Sequence, residues 1–193
     1  MPGMQLSEKQ KELLLDIARK TIKDITNGKI LPDFDIQDSQ LNEKCGAFVT
    51  IHNKGNLRGC IGNIIGDSPL WETIRKMAVE ASRNDPRFPP VTEDELEEID
   101  IEISVISPFE KVEDIEQIRI GEHGIFLRQG YYQGLLLPQV ATEYGWSRKE
   151  FLEHTCMKAG LKKDCYRDAR CEIFIFSAMV FGEKTGENNR RKN

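Results

Sequence analysis

The sequence has no long apolar run. Its longest greasy stretch, Ile173 to Phe181, is broken by Ser177 and is too short to cross a bilayer. Met1 to Gln10 holds no apolar core, so no signal peptide is expected and the cytoplasm is the expected location. Histidine is scarce: His52, His123 and His154 are the full set, and none belongs to an H-E-x-x-H pair. The five cysteines, Cys45, Cys60, Cys156, Cys165 and Cys171, include no C-x-x-C spacing. A structural zinc site therefore has no signature, and without export all five are expected as reduced thiols. There is no P-loop and no G-x-G-x-x-G, so neither a nucleotide cofactor nor a metal is expected. Excess positive charge is also missing. Lys plus Arg is 27 and Asp plus Glu is 32, a net charge of −5. That balance argues against a protein that coats nucleic acid or an anionic membrane.

What is present is the composition of a globular protein: 193 residues, 39% hydrophobic and 31% charged. A chain of this length buries roughly 70% of its unfolded surface and needs no staple. Ser7 and Gln10 make a capping box before the stripe Leu13, Leu14, Ile17, Ala18, Ile22 and Ile25, which predicts an N-terminal helix ending at Asn27-Gly28. Ala47 to His52 and Leu57 to Gly62 read as a hairpin, and Ser68-Pro69 opens a helix with Pro at its first position. Thr92 and Glu95 box a short acidic turn. Ile99, Ile101, Ile103 and Val105 alternate with polar residues as a half-buried strand. Ile125 to Gln129 and Tyr132 to Leu137 read as a second hairpin. A short helix follows from Pro138, and then one boxed by Ser147 and Glu150. Glu172 to Phe181 is apolar on both faces and reads as one central strand. Glu183 to Asn193 reads as a flexible tail.

The order hairpin, helix, helix, strand occurs over residues 46–106 and again over 123–181. It predicts an α+β fold of two similar halves sharing one mainly antiparallel sheet. The two halves and the N-terminal helix would make a single domain over 1–182.

Chemistry concentrates in two places. In Leu57-Arg58-Gly59-Cys60-Ile61-Gly62, strand alternation puts Arg58 and Cys60 on one face. An arginine near a thiol favours the nucleophilic thiolate, and the flanking glycines admit a ligand or other backbone. The same residues also suit a packed cysteine in a tight hairpin. Two registers are open: a two-residue loop sets Cys60 opposite Val49 and Arg58 opposite Ile51, and a three-residue loop sets Cys60 opposite Thr50 and Arg58 opposite His52. In Asp85-Pro86-Arg87-Phe88-Pro89-Pro90, a rigid loop holds either an anion site or an Asp85-Arg87 pair that pins a turn, with Phe88 as a plug. The acidic run Glu93 to Glu102 reads as a solvated face rather than a metal site.

These motifs, with Gly121-x-x-Gly124-Ile125, Leu137-Pro138-x-Val140-Ala141-x-Glu143 and Trp146, resemble the AMMECR family over residues 46–161. The resemblance implies an α+β fold of two similar halves around a barrel-like sheet, and it names no reaction. It implies a shared pathway with Memo-like and radical S-adenosylmethionine proteins. The scattered cysteines give no iron–sulfur signature, so radical chemistry would be a partner's. The family motif falls on Arg58, Gly59, Cys60, Gly62, Asp85, Arg87 and Phe88. Two functions follow. One is a cysteine-dependent enzyme, with Cys60 as nucleophile, Arg58 as its cation, and Gly59, Gly62, Asp85, Arg87 and Phe88 shaping the binding site. The other is a non-catalytic binding or scaffold protein. RNA binding is a weaker third, given the acidic balance.

Overall fold

A computed structural model describes residues 5–183. Ser7 caps α1 (Glu8–Thr26), and Gln10 returns the favour to the Ser7 N–H, as the box predicts. Leu14, Ile17, Ala18 and Ile22 are fully buried on this helix, whereas Leu13 turns off the stripe and is 37% exposed. The hairpin follows as β1 (Gly46–Asn53) and β2 (Asn56–Asn63). Next comes α2 (Leu70–Arg83), for which Pro69 is the cap rather than the first helical residue. Thr92 and Glu95 form their box around a single 3-10 turn, and β3 (Ile99–Ile106) buries its isoleucines as the alternation requires.

After β3 come β4 (Glu110–Lys111), β5 (Gly124–Gln129) and β6 (Tyr132–Leu136). They are followed by α3 (Pro138–Glu143), α4 (Arg148–Lys158), β7 (Glu172–Phe176) and β8 (Ala178–Gly182). The α+β class and the antiparallel pairing are as expected. The single shared sheet is not. The described strands form two four-stranded sheets, β2-β1-β3-β8 and β4-β7-β5-β6.

The physical reason lies at Ser177. The expected strand Glu172 to Phe181 breaks there into β7, interior to one sheet, and β8, at the edge of the other. Ser107 and Ser177 hold the break: the Ser107 N–H donates to the Ser177 carbonyl and the Ser177 N–H to the Ser107 hydroxyl, both at 2.9 Å. Each hairpin still starts an equivalent order, since β2-β1-β3 matches β6-β5-β7.

The chain divides into two compact units, Ser107–Ala178 and the remainder. In the latter, α1 and α2 bury the apolar face of β1 and β3, with Val49, Ile51, Ile74 and Ile101 at its centre. In residues 107–178, Phe151 and Leu152 of α4 pack with Ile125 and Ile175. Among the described residues, no helix is long and apolar enough to cross a membrane.

Two further expectations change. Cys156 and Cys165 are joined as a disulfide, with Cys45, Cys60 and Cys171 outside it. Gly160, at φ 75°, ends α4 and turns the chain back, so the two Cα atoms come within 6.0 Å, well inside bridging range. Reasoning from compartment took no account of that reversal. Glu183, read as the start of the tail, is anchored: its carboxylate pairs with Arg19 and accepts the Ile101 N–H at 2.8 Å. The rest of the tail lies outside the described residues.

Candidate functional site

The hairpin settles its register in a way neither simple loop anticipates. Lys54 (φ 50°) and Gly55 (φ 83°) form a two-residue turn with both φ values positive, and Asn53 pairs with Asn56. A bulge then shifts the ladder between Ile51 and His52. Beyond it, Cys60 stands opposite Thr50, while His52 faces Leu57 and Arg58 has no cross-strand partner. The short loop and the Thr50 pairing therefore coexist, and the imidazole is not set opposite Arg58.

β2 is the edge of its sheet, so its outer backbone groups need partners from outside the ladder. The loop after α2 supplies them. Asp85-Pro86-Arg87-Phe88 is a turn closed by the Phe88 N–H on the Asp85 carbonyl at 3.1 Å, with Pro at its second position. The Asp85 carboxylate, 2% exposed, accepts the Cys60 N–H at 2.8 Å. It also accepts Arg87 Nε at 2.9 Å and Nη2 at 2.7 Å, a bidentate pair. Arg87 Nη2 in turn donates to the Cys60 carbonyl at 3.0 Å. Two side chains thus clamp both backbone groups of Cys60. The hydrogen bonds from Arg87 hold the Asp85 carboxyl far below the usual range despite burial, with help from the Cys60 and Arg87 N–H groups. Of the two loop readings, the pinned turn describes this geometry. Phe88 is half-buried, with the Arg87 guanidinium 5.5 Å from its ring centre.

Arg58 is occupied elsewhere. Its Nε and Nη2 hold Glu95 at 2.7 and 2.9 Å, and its Nη1 donates to the Pro89 carbonyl at 2.9 Å. The arginine that reaches Cys60 is Arg87, through the backbone carbonyl. Its pKa is raised mainly by the Asp85 hydrogen bond, and further by the charge and hydrogen bonding of the Cys60 side chain. Arg58 is thus a strut from the bulge to the 3-10 turn.

That strut has a pH signature. The Arg58 hydrogen bond, above all, lowers Glu95 from 4.5 to about 2. A folded value below the unfolded one means the stabilisation is complete above about 4.5 and fades as pH falls toward 2. Glu95→Gln is expected to flatten the stability curve across that window in urea melts. An unchanged slope would show that the pair is not made in solution.

The glycines of the motif serve packing. A methyl group at Gly59 would sit 2.2 Å from the Ala81 carbonyl of α2, and one at Gly62 would sit inside the Phe48 ring. The face opposite α2 carries polar chemistry. Register aligns Cys60 of β2, Thr50 of β1 and Glu102 of β3 in one row, with His52 and Asp100 in the next. The Thr50 hydroxyl donates to Cys60 Sγ at 3.2 Å, and Cys60, Thr50 and Glu102 are each half-buried. Sequence reasoning missed Glu102 and Glu95. Alternation placed Glu102 on the polar face, and the capping box marked Glu95, but neither signal names a neighbour two strands or a loop away.

Residues 15–181 match the model of the AMMECR1 family. Protein NEQ441 of Nanoarchaeum equitans is 43% identical over 180 residues, covering 88% of this chain and 98% of that protein. A protein of Methanothermobacter thermautotrophicus is 44% identical over 188 residues, covering 92% and 96%. Among solved structures, uncharacterized protein PH0010 from Pyrococcus horikoshii matches with a TM-score of 0.81 at 37% identity, over 93% of this chain and 94% of that one.

Proposed function

The chain belongs to the AMMECR1 family, and from that premise we propose that it acts through the Cys60 thiol as a nucleophile that takes up its substrate covalently. The observation that carries this reading is the environment of the sulfur. Cys60 is a free, half-buried thiol that accepts the Thr50 hydroxyl at 3.2 Å, on a strand held from outside by Asp85 and Arg87. A strand fixed on both edges presents its side chain at a set position, as a nucleophile requires. In this reading Arg87 is the cation that supports developing negative charge on sulfur, the role expected of Arg58 from strand alternation. Asp85 positions Arg87, and Thr50 orients the thiol.

Alkylation tests it. Iodoacetamide is expected to label Cys60 at least about tenfold faster than Cys45, since thiol reactivity follows pKa and access. Cys45 is buried, and burial pushes its thiol up to about 11. Arg87→Met, assayed where the variant is still folded, should slow Cys60 labelling, and Cys60→Ser should abolish any covalent adduct seen in the intact mass. If Cys60 stays unmodified while Cys171 reacts, the nucleophile reading fails. The second reading, a non-catalytic scaffold, draws on the same clamp, because Asp85 and Arg87 satisfy an edge strand with no chemistry at all. It expects Cys60→Ser to leave partner binding unchanged.

A further inference from the structure

A cleft of about 420 Å³ lies within residues 107–178, between the first turn of α4 and the 3-10 turn Cys165–Arg167. Its apolar lining comes from Ile115, which is exposed, and the half-buried Tyr166 ring, above the buried Leu152. Its rim is cationic, with Arg148, Lys149 and Arg167 against one carboxylate, Glu116. That carboxylate is already neutralised: Arg148 Nη1 pairs with it at 2.5 Å while Nε donates to the Ile118 carbonyl. Lys149 pairs loosely with Glu153, at 3.8 Å, and its side chain is 67% exposed. Arg167 lies over the Tyr166 ring at 5.5 Å and has no carboxylate partner among the described residues.

The placing of these charges is costly for the fold. Arg148 and Lys149 are the first two residues of α4, at the positive end of its dipole, where cations are disfavoured. The one acid of that turn, Glu150, is committed to the capping box with Ser147. A chain of net charge −5 has no compositional reason to gather cations there. Arg148 is offset by its bonds to Glu116 and the Ile118 carbonyl, whereas Lys149 makes no contact that close, and local rules broken in this way are expected at functional sites. The Cys156–Cys165 bond also ties the Tyr166-Arg167 wall to α4, so the rim is organised before any ligand arrives.

We infer that this cleft binds an organic oxyanion, a phosphate ester or carboxylate, whose anionic head meets Lys149 and Arg167 and whose apolar body lies on Ile115 and Tyr166. The inference is independent of Cys60. It is tested on the full chain with four probes, 1-naphthyl phosphate, 1-naphthoate, 1-naphthol and inorganic phosphate, read by titration and by chemical-shift changes. At least one naphthyl anion is expected to bind, shifting Ile115 and Tyr166, and at least about tenfold more tightly than naphthol or inorganic phosphate. Which of the two anions binds better identifies the head group. Lys149→Gln combined with Arg167→Gln, both at exposed positions, should weaken binding by about tenfold or more with the fold intact by circular dichroism. Cys60→Ser should leave binding unchanged. Absence of binding by either naphthyl anion, equal binding of naphthol or inorganic phosphate, shifts confined to residues outside 107–178, or binding unaffected by the double substitution would each overturn the proposal.

Discussion

Gly59→Ala is expected to lower stability by roughly 3 kcal/mol, the upper end of what overpacking usually costs. The added methyl would lie 2.2 Å from the Ala81 oxygen and 3.3 Å from its carbon. Both atoms are backbone, and Ala81 is 2% exposed on the inner side of α2. No rotamer change can relieve the clash. Either β2 lifts from the helix or the last turn of α2 opens. For a chain of this size that corresponds to a fall in melting temperature of roughly 6–12 °C. Gly62→Ala should cost less, because its clash is with a side chain, the half-buried Phe48, rather than with backbone. Gly55→Ala is the control: nothing lies within 4 Å, and only its φ of +83° penalises a side chain, by about 1–2 kcal/mol. Thermal melts of the three variants should give the order Gly59, Gly62, Gly55. A Gly59→Ala protein as stable as the parent would show that β2 does not seat on α2.

The same hairpin shows what a sequence can and cannot convey. Local signals survived intact. All three capping boxes form, because each needs only residues three apart. The alternation of β3 buries Ile99, Ile101, Ile103 and Val105 because period two is a property of the strand itself. Features fixed by distant partners were not legible. Ser177 splits an apolar run because Ser107, 70 residues earlier, hydrogen-bonds to it. Arg58 belongs to Glu95 because a bulge removes it from the ladder, and a one-residue shift in register is invisible to pattern. Glu95 sat in an acidic run that composition alone describes as solvated. Cys60, Asp85 and Arg87 were each marked by their motifs and do come together, but the contact made is to the Cys60 backbone. The row Cys60, Thr50 and Glu102 required the pairing of three strands, only two of which are adjacent in sequence.

Asp85→Ala is expected to cost about 3 kcal/mol, because it strips a buried N–H of its acceptor and dissolves a bidentate ion pair. The carboxylate is 2% exposed and takes four hydrogen bonds, from the Cys60 and Arg87 N–H groups and from Arg87 Nε and Nη2. Asp85→Asn should cost about half as much, since an amide oxygen still receives the Cys60 N–H while the charge is lost. Both variants also differ from the parent in their pH dependence. Asp85 in the folded protein lies well below its ordinary 3.8, so its stabilisation is complete above that value and declines as pH falls below it. Either variant should lose that acid-side decline. Arg87→Met isolates the pair from the other side: it leaves the buried carboxylate without its cation, raises the Asp85 pKa, and moves the acid transition upward. Because the pair acts as a unit, the double variant Asp85→Ala with Arg87→Met should be little worse than Asp85→Ala alone. Urea melts across pH measure all of this. Additive losses in the double variant would mean that Asp85 and Arg87 stabilise β2 separately, and the clamp on Cys60 would have to be redrawn as two unrelated contacts.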